Sequence, residues 1–164
     1  MIPIRMRASV IAIALLVLGA ASAVRADIGF TVSLNGAQAG TTSPGTGTGT
    51  LIANSAQTQV TYNITYQGLL GDRAAQHLHG PAPVGKIAAV LVGLAGTGTR
   101  SGTISGVATV NPTIVAYMMA GNTYVVIHTS QEGKDGGGEI RGQIAPDDTP
   151  TRFTTWGRIK GLYR

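Results

Sequence analysis

A strict alternation of apolar and polar residues in the middle of the chain constrains its fold most. From residue 60 to residue 66, every second residue is Val, Tyr or Ile, and the residues between them are Thr or Asn. This period of two is typical of a β-strand with one buried face. Residues 28–34 follow the same pattern, residues 100–110 follow it more weakly, and residues 124–129 have the composition of a strand. Many short strands between Gly- and Pro-rich turns predict an all-β fold, a Greek-key-like antiparallel β-sandwich.

Three further segments are assigned from their composition. Asn111 and Pro112 open a short apolar segment that Gly121 closes, which predicts one short helix with an Asn N-cap and a Gly after its C-terminus. The apolar run from Ile87 to Leu94 predicts a strand buried on both faces. Residues 40–50 are almost entirely Gly and Thr, and we expect a loop there, with only the last Gly-Thr repeat joining a strand.

The N-terminus has the layout of a secretory signal peptide. Arg5 and Arg7 precede an apolar run over residues 8–20, and small residues follow, so cleavage is expected after Ala23 or Ala26, with Ala26 preferred. The run is shorter than the roughly 20 apolar residues that span a bilayer, although an uncleaved anchor is the alternative. The predicted division is a signal peptide (1–26), a β domain (27–146), and a linker with a short basic tail (147–164). We therefore expect a secreted, periplasmic or cell-envelope protein without a transmembrane segment after signal cleavage.

The charge distribution argues against nucleic acid as a partner. Without residues 1–26 the chain keeps nine basic and seven acidic residues, and four of the basic ones lie in the last sixteen positions. A nucleic-acid-binding domain would instead carry clustered basic residues on its folded part. The chain also has no cysteine, which excludes thiol catalysis, Cys-ligated zinc and iron–sulfur clusters.

The C-terminal tail contains a candidate docking segment. Trp156, Arg158 and Lys160 lie among further apolar residues at helix-like spacings. An amphipathic segment of this kind could make peripheral contact with the cell envelope. A frayed terminus is the alternative interpretation.

All three histidines of the chain fall in two motifs. His77 and His79 flank Leu78, and His128 ends the segment Val126-Ile127-His128. Histidines two apart on a strand share a face and lie about 6.6 Å apart along it, so a third histidine from a neighbouring strand could complete a three-nitrogen site. Such a site suits copper or zinc. The alternative is a structural role in which the rings hydrogen-bond to backbone carbonyls.

The histidine motifs belong to a longer resemblance. The stretches HLHGPAPVGK, AGNTYVVIHT and GGGEIRGQI, together with FTVSLNGAQAG and GTGTGT near the start, resemble the hallmark segments of the CHRD (chordin-type) domain over about residues 28–145. The resemblance implies an extracellular β domain, related to the domains of a growth-factor-binding protein, whose own biochemistry is largely undefined.

A weaker resemblance concerns the histidines alone. The H-x-H pair, the distant V-x-H and a later Arg are similar to the copper half of Cu/Zn superoxide dismutase. That resemblance implies His77, His79 and His128 as ligands and Arg141 as a residue that attracts an anion, but no bridging histidine, zinc-ligand set or disulfide accompanies them. From the strand pattern, Arg141 and Glu139 are expected either on an exposed recognition strip or on a plain solvated face.

Two functions are consistent with these patterns. The first is an exported, non-enzymatic CHRD-type interaction module for an unknown extracellular or envelope macromolecule. The alternative is a copper or zinc protein that uses the three histidines, and any catalysis would be copper-dependent and similar to that of superoxide dismutase.

Overall fold

Eight strands and two short helices make up the part of the chain that the computed structural model describes, residues 26–131 and 137–147. In chain order they are β1 (Ile28–Asn35), α1 (Gly36–Ala39), β2 (Thr46–Ala53), β3 (Gln59–Gln67), β4 (Ala75–His79), β5 (Val90–Leu94), β6 (Gly102–Thr109), α2 (Pro112–Met119), β7 (Tyr124–His128) and β8 (Ile140–Pro146).

The strands form one antiparallel sheet that nearly closes on itself. Their order is β5-β4-β7-β8-β1-β2-β3-β6, and the edge strands β5 and β6 lie next to each other without pairing. Neighbours that are distant in sequence, such as β3 with β6 and β4 with β7, give the crossed connections expected of a Greek key. The predicted all-β antiparallel class is confirmed. Opposite walls of the curved sheet face one another across a shared core, as the layers of a sandwich do, but they belong to a single sheet.

Residues 46–50 of the Gly/Thr-rich segment belong to a strand, so the predicted loop is wrong for residues 46–48, whereas the last Gly-Thr repeat, residues 49–50, joins the strand as predicted. Gly47 pairs with Tyr66, and Gly49 pairs with Ile64, on the core side of the sheet. A Cβ on Gly49 would lie 2.6 Å from the side chain of Ile64. The glycines of β2 thus leave room for large side chains on β3, and the segment needs no large apolar residue of its own to face the core.

The apolar run from Ile87 to Leu94 is not a strand buried on both faces. Only Val90–Leu94 forms β5, and the side chains of Ile87 and Val90 are 56% and 51% exposed. The reason is position in the sheet, since β5 is an edge strand that pairs with β4 alone. Leu94 is its one buried apolar residue.

Both helices are capped by asparagine. As predicted for α2, the Asn111 side chain accepts a hydrogen bond from the backbone N–H of Ile114 (3.0 Å), and Gly121 follows the helix with a φ of +67°. The unpredicted α1 is a single turn at the Asn35-Gly36 turn, where the Asn35 side chain accepts from the N–H of Gln38 (2.9 Å). It packs on β8.

Several predictions concern residues that lie outside the described ranges. These are the signal peptide up to residue 25 and the tail with Trp156, Arg158 and Lys160. Among the described residues, no helix is long and apolar enough to cross a bilayer.

Candidate functional site

The pairing of β4 with β7 brings the three histidines together. In this ladder Ala75 pairs with His128 and His77 pairs with Val126, so His77, His79 and His128 project from the same face. Their ring centroids are 5.0 to 5.9 Å apart. One nitrogen from each ring can be chosen so that all three atoms lie within 4.8 Å of one another. The two motifs, separated by about fifty residues in sequence, therefore form one cluster, which we call the histidine cluster.

The histidine cluster lies on the outer face of the sheet, opposite the main core. Leu78 of β4 and Val125 of β7 point inward, whereas the histidines alternate with them and point outward. The connection between β4 and β5 covers this face, and its Ala82 and Ala88 pack with Tyr124 and Val126 in a small second apolar cluster. As a result His79 is buried, while His77 and His128 are half-buried.

One backbone contact fixes the orientation of the His79 ring. Its Nδ1 lies 3.0 Å from the carbonyl oxygen of Ala88, so Nδ1 carries the hydrogen and donates it. The other nitrogen, Nε2, then has a lone pair. Nε2 of His79 and Nδ1 of His77 are both buried and have no hydrogen-bond partner among the described residues. The predicted structural role, a ring that bonds a backbone carbonyl, thus accounts for one nitrogen of His79 and leaves the other available.

The surroundings favour the neutral imidazole form of His77 and His79. Burial lowers the pKa of His77, and the neighbouring His128 and His79 lower it further. Burial also lowers the pKa of His79, where the bond to Ala88 acts in the opposite direction and the nearby positive groups act with burial. A neutral imidazole is the form that binds a metal ion. At neutral pH His77 and His79 therefore present ligands that need not lose a proton first.

Tyr124 is a component of the site that the sequence interpretation missed. Its ring stacks on His79, with centroids 5.2 Å apart and an interplanar angle of 13°. Its hydroxyl accepts a hydrogen bond of 2.7 Å from the N–H of Ala88, the residue whose carbonyl orients His79. The signal was present in the sequence, because residues 124, 126 and 128 share one face of a period-2 strand.

Arg141 lies beside the same cluster. Its guanidinium carbon is 3.5 Å from the centroid of the Tyr124 ring, and its Nη2 donates to Oε1 of Gln143 at 3.2 Å. The side chain is only 4% exposed. The expected exposed strip or solvated face is therefore wrong for Arg141, because the face of β8 beside the histidines is covered.

Glu139 is buried too, but it points to a different place. Its carboxylate accepts hydrogen bonds from four groups: the hydroxyls of Ser43 and Thr129 and the backbone N–H groups of Leu70 and Gly71. Burial acts to raise the pKa of Glu139, but the four hydrogen bonds outweigh it and the pKa is lowered. Glu139 therefore links the segments that contain Ser43, Leu70 and Thr129 by hydrogen bonds. It is neither solvated, as the sequence suggested, nor part of the histidine cluster.

Three imidazoles that converge on the outer face of the sheet can hold one borderline metal ion and leave a coordination position open. Within residues 26–131 and 137–147, no other group of three His, Asp or Glu side chains is arranged in this way.

Comparison with protein-family models places these residues in a known family. Residues 30–144 match the model of the CHRD domain, a range that includes the histidine cluster, Tyr124 and Arg141. The comparisons with curated proteins and with solved structures gave no match. The match covers most of the chain and confirms the resemblance seen in its motifs. The chain belongs to the CHRD domain family.

Proposed function

We propose that this chain is an exported CHRD-domain protein that binds one copper or zinc ion through His77, His79 and His128. The observation that supports the proposal most is the convergence of three imidazole nitrogens within 4.8 Å of one another. Two of the rings also carry a buried nitrogen with no hydrogen-bond partner among the described residues. A buried polar atom without a partner costs free energy, and a metal ion would supply the partner.

The dimensions of the cluster suit a single ion. Metal–nitrogen bonds of about 2.0–2.1 Å place two ligand nitrogens at most about 4.2 Å apart. The nitrogens lie within 4.8 Å of one another, so small ring rotations suffice. The Nδ1–H of His79 donates to the Ala88 carbonyl, and metal-binding histidines commonly donate their other ring N–H to a backbone carbonyl in this way.

The chemistry of the ligands narrows the choice of metal. Three imidazoles and no thiolate suit zinc and copper, and copper(II) binds more tightly than zinc to a given set of nitrogen ligands. We therefore expect both ions to bind and copper(II) to displace zinc.

Metal content of the purified protein tests the proposal. The full chain is expressed for export without a histidine tag, incubated with Cu²⁺ or Zn²⁺ at ratios from below one equivalent to a small excess, desalted, and analysed by inductively coupled plasma mass spectrometry. We expect about one retained ion per chain at saturation, and loss of that ion from the variants His77→Ala and His128→Ala. The variant Asn63→Ala, which changes an exposed polar residue of β3, is the matched control and keeps its metal.

The proposal fails if the folded wild-type protein retains no metal. It also fails if the histidine variants, shown to be folded by circular dichroism, retain as much metal as the wild type. In either case the histidines serve the fold, and the second candidate function takes precedence.

The second candidate is an interaction module for an extracellular or envelope macromolecule. The supporting observation is a group of exposed apolar side chains in and after the β4–β5 connection: Val84 (70% exposed), Ile87 (56%) and Val90 (51%). A test compares association with a cell-envelope fraction for the wild type, for the triple change of these residues to Ser, and for His77→Ala. Loss of association in the Ser variant alone supports this candidate, and equal association of all three proteins contradicts it.

A further inference from the structure

The outer face formed by β1, β2, β3 and β6 is polar and carries no charged side chain. None of these four strands contains Lys, Arg, Asp or Glu, and their outward residues are mostly Thr, Ser, Asn and Gln. Two outward residues are large and apolar, Ile52 (46% exposed) and Val107 (58% exposed). A single exposed apolar side chain is common on a protein surface, so what distinguishes these two is where they lie.

Ile52 and Val107 lie in one row across the sheet. Ile52 pairs with Thr61, and Thr61 pairs with Val107, so the two apolar side chains flank one threonine. On its other side Ile52 pairs with Gly29, which adds no side chain of its own. We call these four residues the Ile52–Val107 row. Its two apolar side chains are two strand spacings apart, about 10 Å, which is a distance that one large aromatic residue and its neighbours can cover.

The part of the chain that the structure describes ends beside this row. The backbone N–H of Asp147 donates to the carbonyl oxygen of Gly29 (2.9 Å), and a Cβ on Gly29 would lie 3.3 Å from the Cβ of Asp147. Four strand spacings, roughly 19 Å, separate Asp147 from Val107 across the sheet, and about six extended residues span that distance. Residues 148–164 follow Asp147 in the sequence, so this segment is long enough to reach across the whole row.

The composition of residues 148–164 complements the row. The segment contains large apolar residues, among them Phe153 and Trp156, and four basic residues against one acidic residue. The strands of the face that it would cross contain no Lys or Arg, and the carboxylates of Asp27 and Asp147 lie at the end of the row near Gly29. Apolar side chains of the segment thus match apolar side chains of the row, and its positive charge meets carboxylates there instead of other cations.

We propose that residues 148–164 fold back across the outer face of the sheet and that Trp156 packs on the Ile52–Val107 row. The occupant is this segment of the same chain, because it starts beside the row, is long enough to cross it and carries the apolar and basic groups that fit it. Burial of an indole against two aliphatic side chains removes apolar surface from water and stabilises the docked arrangement. The row lies on β1, β2, β3 and β6, whereas the histidines lie on β4 and β7, so this inference does not depend on the proposed function.

Trp156 is the only tryptophan of the chain, so tryptophan fluorescence reports on this segment alone. For the full chain, expressed for export, we expect a blue-shifted emission and weak quenching by acrylamide. The double variant Ile52→Thr/Val107→Thr keeps β-branched residues on both strands. Its emission should shift to the red, and its quenching constant should rise about twofold or more, as a mostly docked population becomes mostly undocked. Val84→Thr/Val90→Thr is the matched control, because it changes two exposed aliphatic residues outside the row in the same way and leaves both measurements unaltered.

The outcomes distinguish docking within the chain from the other occupants of the row. An emission typical of exposed indole in the wild type, or equal quenching in the Ile52→Thr/Val107→Thr variant, overturns the proposal. Protection that grows with protein concentration identifies a second copy of the chain as the occupant, and protection that requires anionic lipid vesicles identifies a membrane surface as the partner of the segment; either result overturns docking within the chain. If circular dichroism shows that the double variant does not fold, Val107→Thr alone decides: a raised quenching constant supports the proposal, and an unchanged one overturns it.

Discussion

At the scale of single residues, the candidate site depends on groups other than the three proposed metal ligands. The Tyr124 hydroxyl accepts a hydrogen bond from the N–H of Ala88, and the Ala88 carbonyl accepts one from Nδ1 of His79. This tautomer of His79 leaves the lone pair of Nε2 available for an ion. A ring without this support would sample other orientations and lose part of its affinity for an ion. Tyr124 is therefore a positioning residue, and its hydroxyl and its ring have separable roles.

Removal of that hydroxyl tests the role. Tyr124→Phe keeps the ring that stacks on His79 and loses the bond to Ala88, so we expect the metal to bind about tenfold more weakly, as when other groups that orient a metal-binding histidine are removed. Competition with a chelator of known affinity measures the dissociation constant. Tyr117→Phe, a half-buried tyrosine on α2, is the control and leaves the affinity unchanged. An unaltered dissociation constant in Tyr124→Phe would mean that the Ala88 carbonyl orients His79 without the hydrogen bond between Tyr124 and Ala88.

Glu139 makes stability depend on pH. Its pKa is lowered in the folded protein, so the unfolded chain takes up a proton first as the pH falls. The contribution of the carboxylate is complete above the unfolded pKa of about 4.3 and is lost as the pH falls through the lower folded value. Glu139→Gln should lose about 1–3 kcal/mol of unfolding free energy at pH 7, because an amide N–H₂ then faces hydrogen-bond donors.

Urea denaturation at pH 7 and at a series of lower pH values measures this effect. The difference between the wild type and Glu139→Gln should shrink as the pH falls. Asp72→Asn is the control, because Asp72 is an exposed carboxylate in a loose pair with Arg100 and should change stability little. A constant difference across the pH series would show that the Glu139 charge does not contribute to stability.

At the scale of elements, the period-2 alternation predicted β1 and β3 well, because one face of each is buried and the other is exposed. The sequence interpretation was wrong for part of β2, which it predicted as a loop, and for β5, which it predicted to be buried on both faces. Gly47 and Gly49 have no side chains to show periodicity, since the space above them is filled by Tyr66 and Ile64 of β3. The apolar run of β5 predicted burial, but burial depends on which strands pair with it, and that is decided by residues far away in sequence.

The candidate site was only partly predictable, because some of its contacts depend on which strands pair with one another. The spacing of His77 and His79 predicted that they share a face of β4. The position of His128 beside them depends on the pairing of β4 with β7, which the sequence pattern does not show. The carbonyl of Ala88 comes from the connection between β4 and β5 that folds over this face. Composition alone carries no information about that contact.

The glycines of β2 give a test at this scale. A Cβ on Gly49 would lie 2.6 Å from Ile64, so Gly49→Ala should lose about 1–3 kcal/mol of unfolding free energy through overpacking. Gly93 of β5 has no atom within 4 Å of such a Cβ, so Gly93→Ala should change stability by less than about 0.5 kcal/mol. Chemical denaturation of both variants provides the comparison. Equal effects would contradict the account of β2 as a strand shaped by its neighbour.

At the scale of the whole molecule, folding and the proposed metal binding use opposite faces of one sheet. The main core lies inside the nearly closed sheet and contains residues from all eight strands of the described part of the chain. The histidine cluster lies outside, under the connection between β4 and β5. A chain without cysteine must fold on burial and strand pairing, and the interior of this sheet supplies both without the histidines.

This separation predicts a protein that folds without metal and is stabilised by it. An ion that binds only the native state at 100 times its dissociation constant adds about 2.7 kcal/mol, which for a domain of this size raises the melting temperature by roughly 8 °C. Calorimetry of the chelator-treated wild type should show one cooperative transition, shifted upward by copper or zinc, and His77→Ala should melt at the same temperature with and without metal.

An unfolded metal-free protein would contradict the separation, because the cluster would then be part of what holds the sheet closed. An unshifted transition in the presence of metal would contradict binding to the native state. The expected combination, a folded apoprotein and a shift that depends on His77, is explained only if the outer face binds an ion that the core does not need.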